Sequence, residues 1–115
     1  MILPDTSAWI EYLRATGSPA HRRLHTLIAN EAALGVTDVV IMELLAGTST
    51  DERVAELRRM VDRFEFLPVE GLADFEAAAE IYRRCRRGGE TVRKLNDCLI
   101  AAVALRVGVP VLHRD

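Results

Sequence analysis

The chain has 115 residues, of which 50% are hydrophobic and 28% are charged, so its composition excludes an intrinsically disordered protein. Its 15 basic and 17 acidic residues give a net charge of −2, which excludes nucleic-acid binding through overall positive charge, although a local basic groove stays possible. No apolar run approaches the roughly 18 residues of a membrane span, and no signal-peptide pattern precedes the first strand. We therefore expect a soluble, cytoplasmic protein with a single domain over residues 1–115.

Short apolar runs alternate with helical patterns along the whole chain. The first five predicted elements, in chain order, are a strand over residues 1–5, a helix from the caps Thr6 and Ser7 to about Gly17, a helix opened by Ser18 and Pro19, a strand over residues 34–36, and a helix from Thr37 to Gly47. The remaining five are a helix from the cap Ser49 to about Phe64, a strand over residues 66–69, a helix from about Leu72 to Arg87, a helix from Leu95 to Val107, and a strand over residues 109–112. Because short apolar strands between helices indicate a parallel sheet covered on both faces, the sequence predicts a three-layer α/β/α fold with a short central parallel sheet.

Acidic side chains fall where open α/β sheets form their ligand sites, beyond the carboxyl ends of the strands. Asp5 follows the first predicted strand, Asp115 follows the last, and Asp97 opens the long apolar helix. Taken singly, each has a simpler explanation, since Asp5 could cap a helix, Asp97 could interact with a helix dipole, and Asp115 could be a solvated terminal acid. Taken together, they are candidates for a shared acidic site.

Glu43 stands in the third predicted helix among apolar neighbours on every side, and that helix contains no lysine or arginine. This pattern predicts that the helix and its carboxylate are largely buried. A buried carboxylate without a partner is costly, so it takes up a proton or pairs with a cation. A hard divalent cation, shared with other acids, would supply the missing charge.

Four segments of the sequence carry a recognisable set of motifs. They are Asp5-Thr6-Ser7, Glu43-Leu44-Leu45-Ala46-Gly47, Asn96-Asp97-Cys98-Leu99-Ile100-Ala101-Ala102, and Leu112-His113-Arg114-Asp115. In this order and at these spacings they resemble the PIN domain and, more narrowly, the VapC ribonuclease toxins of bacterial toxin–antitoxin pairs. The resemblance covers the whole chain. Pro4 departs from the aliphatic residue that the family usually has there, and the family normally continues beyond the position of Asp115, so we expect the C-terminal end of the usual domain to be missing.

The resemblance implies an acidic cluster that binds Mg²⁺, for which Mn²⁺ would substitute. The implied catalytic and metal-binding residues are Asp5, Glu43, Asp97 and Asp115. Asp5 and Asp97 would be the closest ligands, and the other two would complete the ring directly or through water. The implied substrate-binding residues are Thr6, Ser7 and Arg93. We expect His113 to lie near this site without a catalytic role.

The resemblance further implies a metal-dependent endoribonuclease that acts as the toxin of a toxin–antitoxin pair. Its partners would be a VapB-type antitoxin, an RNA substrate and a second copy of the chain in a homodimer, with no membrane partner. A metal held by carboxylates would lower the pKa of a water, orient it in line with the phosphodiester, and offset the charge that develops on the phosphorus. Two alternatives stay open: a PIN nuclease of RNA processing that has no antitoxin, and a catalytically silent PIN-like interaction module.

Overall fold

Four two-residue strands form the sheet in a computed structural model that describes residues 1–89 and 94–114. They are β1 (Leu3–Pro4), β2 (Gly35–Val36), β3 (Glu65–Phe66) and β4 (Val111–Leu112). β1 pairs in parallel with β4, and β2 pairs in parallel with β3. A parallel bridge between Ile2 and Leu34 joins the two pairs, so the spatial order is β4–β1–β2–β3. The predicted short parallel sheet is confirmed.

Six helices surround this sheet in the described part of the chain. They are α1 (Thr6–Leu13), α2 (Pro19–Ala29), α3 (Asp38–Ala46), α4 (Asp51–Val61), α5 (Gly71–Arg87) and α6 (Leu95–Val107). α1 packs against α2, α5 packs against α6, and α3 contacts α1, α4 and α6. The six helices and the parallel sheet confirm the predicted mixed α/β architecture. None of the helices in the described ranges is long and apolar enough to cross a membrane.

The sequence offers neighbouring candidates for the caps of α1 and α4. Asp5 caps α1, as one interpretation of this residue predicts, and Thr6 and Ser7 do not, because the Asp5 backbone is still extended and its Oδ1 accepts the Ala8 N–H over 2.9 Å. Thr50, rather than Ser49, caps α4, because its hydroxyl accepts the Arg53 N–H over 3.2 Å. In both places neighbouring polar residues could each serve as a cap, and the backbone conformation decides between them.

The predicted end of α4 and start of β3 are also wrong by a few residues. α4 ends at Val61, before the predicted Phe64, and β3 covers Glu65–Phe66 instead of residues 66–69. The Glu65 N–H donates to Leu34 O over 3.1 Å, and this bond to the neighbouring strand draws the chain into the sheet earlier than its local pattern predicts. A contact between distant residues overrides local propensity here.

The core lies between the sheet and the helices. Its largest fully buried side chain is Trp9, which packs against Tyr12 and Phe64 with ring centroids 5.9 Å and 5.3 Å away. α6 contributes six buried residues, as its largely apolar sequence predicts, and ends at Gly108, whose φ of +79° is the left-handed conformation that glycine adopts without strain. Gly35 in β2 lies close to Leu67, since a Cβ there would be 2.5 Å from Leu67 Cδ1 and the Leu67 side chain would have to move.

Candidate active site

Asp5 lies at the carboxyl edge of the sheet, directly after β1. Its backbone N–H donates to Leu112 O of β4 over 2.9 Å, so the parallel pairing of the two strands fixes the position of the residue. The residue is only 6% exposed. The Asp5 carboxylate thus caps α1 and lies at the edge where open α/β sheets bind their ligands.

Both oxygens of the Asp5 carboxylate are held in place. Oδ1 accepts hydrogen bonds from Ser7 Oγ over 2.6 Å and from the Ala8 N–H over 2.9 Å. Oδ2 lies 2.8 Å from His113 Nδ1, an ion pair when the imidazole is protonated. Ser7 Oγ in turn accepts the Arg114 N–H over 3.2 Å. Bonds from α1 and from the segment after β4 therefore fix the orientation of this buried acid.

His113 has a closer relation to the site than the sequence predicts, since it contacts the Asp5 carboxylate directly. The signal that could have revealed it is the register of the sheet. Pro4 pairs with Leu112, so the residues that follow them, Asp5 and His113, leave adjacent parallel strands side by side. That register depends on residues more than 100 positions apart and is invisible to local patterns.

Glu43 receives a hydrogen bond from Thr6, whose Oγ1 lies 2.7 Å from Glu43 Oε1. Thr6 is the first residue of α1 and is 8% exposed. Because Thr6 follows Asp5, this contact brings the Glu43 carboxylate to the same edge of the sheet. The structure thereby brings together five residues of the predicted motifs: Asp5, Thr6, Ser7, Glu43 and His113.

Glu43 and its helix are less completely buried than the sequence predicts. Its side chain is half-buried, and the preceding Met42 is 54% exposed. Of the α3 residues only Val39, Val40 and Leu44 belong to the buried core, so one face of this apolar helix is open. The partner of the carboxylate in the described chain is a threonine hydroxyl, and the apolar composition of α3 concealed the open face.

Asp97 lies in the first turn of α6, where it is half-buried beside the fully buried Cys98. None of the hydrogen bonds between described residues joins it to Asp5 or Glu43. Among residues 1–89 and 94–114, no three acidic, histidine or cysteine side chains lie close enough to hold one metal ion. The predictions for Arg93 and Asp115 lie outside the described residues, so the complete four-acid ring stays a prediction.

A groove of about 730 Å³ adjoins Glu43 and runs between α1, α3 and α4. Apolar side chains from all three helices line it: Ile10, Leu13, Leu44, Leu57 and Met60. Its charged lining residues are three glutamates and two arginines: Glu43, Glu52, Glu56, Arg14 and Arg53. The groove therefore pairs an apolar floor with a mixed-charge rim in which acids are in excess.

The chain is similar to known proteins over its whole length. The family model of the PIN domain matches residues 2–115. Ribonuclease VapC11 of Mycobacterium tuberculosis is 50% identical over 116 residues, an alignment that covers 100% of this chain and 87% of that protein.

Solved structures with lower identity share the fold. One is VapBC2 from Rickettsia felis bound to a DNA fragment from its promoter, with a TM-score of 0.72 and 18% identity over 96% of this chain and 85% of that one. Another is VapC20 of Mycobacterium tuberculosis, a sarcin–ricin-loop-cleaving toxin, with a TM-score of 0.70 and 21% identity over 95% of this chain and 85% of that one. With the 50% identity to a VapC ribonuclease and the full-length family match, these similarities place the chain in the PIN-domain family, among the VapC proteins.

Proposed function

We propose that this chain is an endoribonuclease that acts in the cytoplasm as the toxin of a toxin–antitoxin pair. The observation that carries the proposal is the Asp5 carboxylate, which is buried at the carboxyl edge of the sheet, oriented by Ser7, Ala8 and His113, and joined to Glu43 through Thr6. The identity of half the residues with a VapC ribonuclease supports the assignment of RNA as the substrate.

The chemistry of these donors fits a divalent metal. Carboxylate and hydroxyl oxygens are the ligands that Mg²⁺ and Mn²⁺ prefer. In the part of the chain that the structure describes, neither Asp5 nor Glu43 forms an ion pair with a lysine or arginine, so the negative charge at this edge lacks such a counter-charge. In the proposal, Asp5 and Asp97 bind the metal most closely, and Glu43 and Asp115 complete the ring directly or through water.

The residues of the chain have distinct parts in the proposed reaction. Ser7 and His113 hold the two Asp5 oxygens in one orientation, and Thr6 does the same for Glu43 Oε1. Such outer hydrogen bonds limit the rotation of a ligand carboxylate and so preorganise a metal site. The bound metal would supply an activated water for attack on the phosphodiester and would offset charge on the leaving oxygen. Arg93 is proposed to face the RNA.

The groove beside Glu43 is the proposed binding site of the antitoxin. A segment of a VapB-type partner with apolar side chains would cover Leu13 and Leu57, and a basic side chain at its end would pair with Glu43. Arginine suits this position because its planar fork can bind a carboxylate through two hydrogen bonds. An antitoxin held in this way would place a positive charge at the acidic site and block the path of the phosphate.

Cleavage of RNA by the purified chain tests the proposed activity. We expect single-stranded or looped RNA to be cut in Mg²⁺ or Mn²⁺, with 5′-phosphate ends, and EDTA to stop the reaction. Cleavage that persists in EDTA, or products with 2′,3′-cyclic phosphates, would contradict the metal-activated water.

Neutralisation by the antitoxin tests the proposed groove. The Leu13→Glu chain should still cut RNA but resist the antitoxin, because a carboxylate would stand in the apolar floor beside three native glutamates. Leu105→Glu is the matched control, since it changes an exposed leucine on α6 outside the groove. Equal neutralisation of the two variants would refute the groove as the antitoxin-binding site.

A further inference from the structure

Helix α5 ends in an exposed set of basic side chains, Arg83, Arg84, Arg86 and Arg87, which we call the arginine cluster. The side chains of Arg83, Arg84 and Arg87 are 66%, 73% and 63% exposed. The net charge of the whole chain is −2, so this concentration of positive charge is local. Arginines in a last helical turn interact favourably with the helix dipole, but that role does not require four of them.

The packing of α5 on α6 places the arginine cluster at the end of the fold that carries Asp97. Asp74, in the first turn of α5, pairs with Arg106, in the last turn of α6, with Arg106 Nη2 2.9 Å from Asp74 Oδ2. Since α5 and α6 also pack closely together, we infer that the two helices run in opposite directions. Counting nine residues along each helix from this ion pair leads to Arg83 on α5 and to Asp97 on α6. Because both helices advance by about 1.5 Å per residue, we infer that the two positions lie at a similar level along the helix pair.

Glu80 forms ion pairs with three of the four arginines. Its Oε1 lies 2.9 Å from Arg84 Nε and 3.6 Å from Arg87 Nη2, and its Oε2 lies 3.8 Å from Arg83 Nη1. The hydrogen bond from Arg84 and the charges of all three arginines hold the pKa of Glu80 below its usual value. One carboxylate cannot neutralise three guanidinium groups, so Glu80 and its three arginines together keep a net positive charge.

We propose that the arginine cluster binds phosphates of the RNA that flank the scissile phosphodiester, and that Glu80 competes with the RNA for these arginines. The inference rests on the proposed function, because it says where the RNA that is cut at the acidic site runs along the protein surface. Guanidinium groups bind phosphate through paired hydrogen bonds, which suits a backbone contact that does not read the base sequence. The fourth arginine, Arg86, stands over the Tyr82 ring, with its guanidinium carbon 5.8 Å from the ring centre. It is not one of the arginines paired with Glu80, so Glu80 would not compete with RNA for it.

The salt dependence of RNA binding tests this proposal. We would measure the anisotropy of a labelled single-stranded RNA in EDTA, where the strand should stay intact, at several salt concentrations. The variant Arg84→Gln/Arg87→Gln should bind several-fold more weakly than the wild-type chain. The slope of log affinity against log salt should become shallower by about 0.7 for each RNA phosphate that the variant no longer neutralises. The control Arg23→Gln/Arg59→Gln removes two exposed arginines from α2 and α4 and should leave the slope unchanged.

The Glu80→Gln variant should change binding in the opposite direction. Loss of the competing carboxylate would free three arginines, so RNA should bind more tightly and with a steeper salt slope. Damage to the fold would weaken binding, so a gain cannot arise from misfolding. Unchanged or weaker binding by a Glu80→Gln chain with a normal melting temperature would overturn the proposed competition.

Three further outcomes bear on this inference, and the first two separate it from the proposed function. If the wild-type chain cuts RNA while the Arg84→Gln/Arg87→Gln chain keeps the wild-type affinity and slope, the cluster is not part of the RNA path, although the proposed activity stands. If the wild-type chain cuts no RNA, the proposed function fails, and the slope alone decides whether the cluster binds phosphates. Loss of antitoxin binding with unchanged RNA binding would make the cluster a protein-binding surface and overturn the inference.

Discussion

Thr6 Oγ1 donates a hydrogen bond to Glu43 Oε1 over 2.7 Å, although the two residues are 37 positions apart. Thr6 begins α1 directly after Asp5, and Glu43 lies on the half-open face of α3, so this bond links the two helices at the edge where β1 ends. It also explains how α3 can present a carboxylate to the site without burying it. The orientation of Glu43 therefore depends on a residue from the neighbouring motif.

Removal of the Thr6 hydroxyl should impair the reaction more than the fold. In Thr6→Val, Glu43 loses the Thr6 hydroxyl but can bind water at its exposed side, so we expect a small change in melting temperature. RNA cleavage should fall by roughly 10- to 100-fold, the usual cost of losing a residue that orients a metal ligand. Initial cleavage rates in saturating Mn²⁺ would measure the effect.

Thr6→Ser is the matched control, since it keeps the hydroxyl and removes only a methyl group. It should cut RNA at nearly the wild-type rate. Equal rates for Thr6→Val and Thr6→Ser would show that the hydrogen bond to Glu43 has no part in catalysis.

The amide variants of the proposed metal ligands should be folded and inactive. Asp5→Asn keeps an oxygen that can accept the Ala8 N–H, so the α1 cap survives, whereas Asp5→Ala would cost about 1 kcal/mol through loss of the cap. Asp97→Asn and Glu43→Gln likewise remove charge without changing volume. We expect no detectable cleavage by these three variants and circular dichroism spectra like that of the wild-type chain. Activity retained by Asp5→Asn would contradict a metal site at β1.

The fold was predictable where local patterns and tertiary contacts agree. The boundaries of α6 agree with the prediction because its apolar residues are continuous and Gly108 ends the helix in a left-handed conformation. The boundary between α4 and β3 was not predictable, because the bond between Glu65 and Leu34 crosses the sheet. Element types thus follow from the local sequence, and the exact ends depend on distant partners.

Part of the candidate site, Asp5 and Glu43, was predictable as residues, but their contacts were not. Asp5 and Glu43 were identified from their positions after a strand and within an apolar helix. The contact of His113 with Asp5 follows from the register of β1 with β4, and the contact of Thr6 with Glu43 follows from the packing of α1 on α3. Neither contact has a local signature.

Added Mn²⁺ should stabilise the folded chain if the acids bind it as proposed. A ligand at roughly a hundredfold its dissociation constant stabilises the folded state by about 2.7 kcal/mol, which would raise the melting temperature clearly. EDTA should remove the increase. Thermal melts of the wild-type chain and of Asp5→Asn at neutral pH would measure it, and the increase should be much smaller in the variant. Equal increases in both proteins would place the metal elsewhere.

The ion pair between Asp74 and Arg106 should contribute to the pH dependence of stability in acid, since it joins α5 to α6 through a buried carboxylate. The Asp74 side chain is 4% exposed, its Oδ1 lies 3.0 Å from Arg106 Nε, and its Oδ2 accepts the Glu70 N–H over 2.8 Å. The hydrogen bond from Arg106 outweighs the opposing effect of burial and lowers the pKa of Asp74 below its usual value. The folded state therefore prefers the charged acid more strongly than the unfolded state does.

It follows that Asp74 contributes its full stabilisation above the pKa of the unfolded chain, about 3.9, and loses it as the pH falls through the lower folded value. The Asp74→Asn chain, which has nearly the same shape and no charge, should melt several degrees below the wild-type chain at pH 7, and the difference should shrink as the pH falls below about 4. Glu76→Gln is the control, because it removes an exposed carboxylate from the same helix and should leave the wild-type pH dependence in place. Thermal melts between neutral and acidic pH would measure both variants. A difference between Asp74→Asn and the wild-type chain that stays constant across this range would mean that the ionisation of Asp74 does not contribute to the stability of the α5–α6 pair.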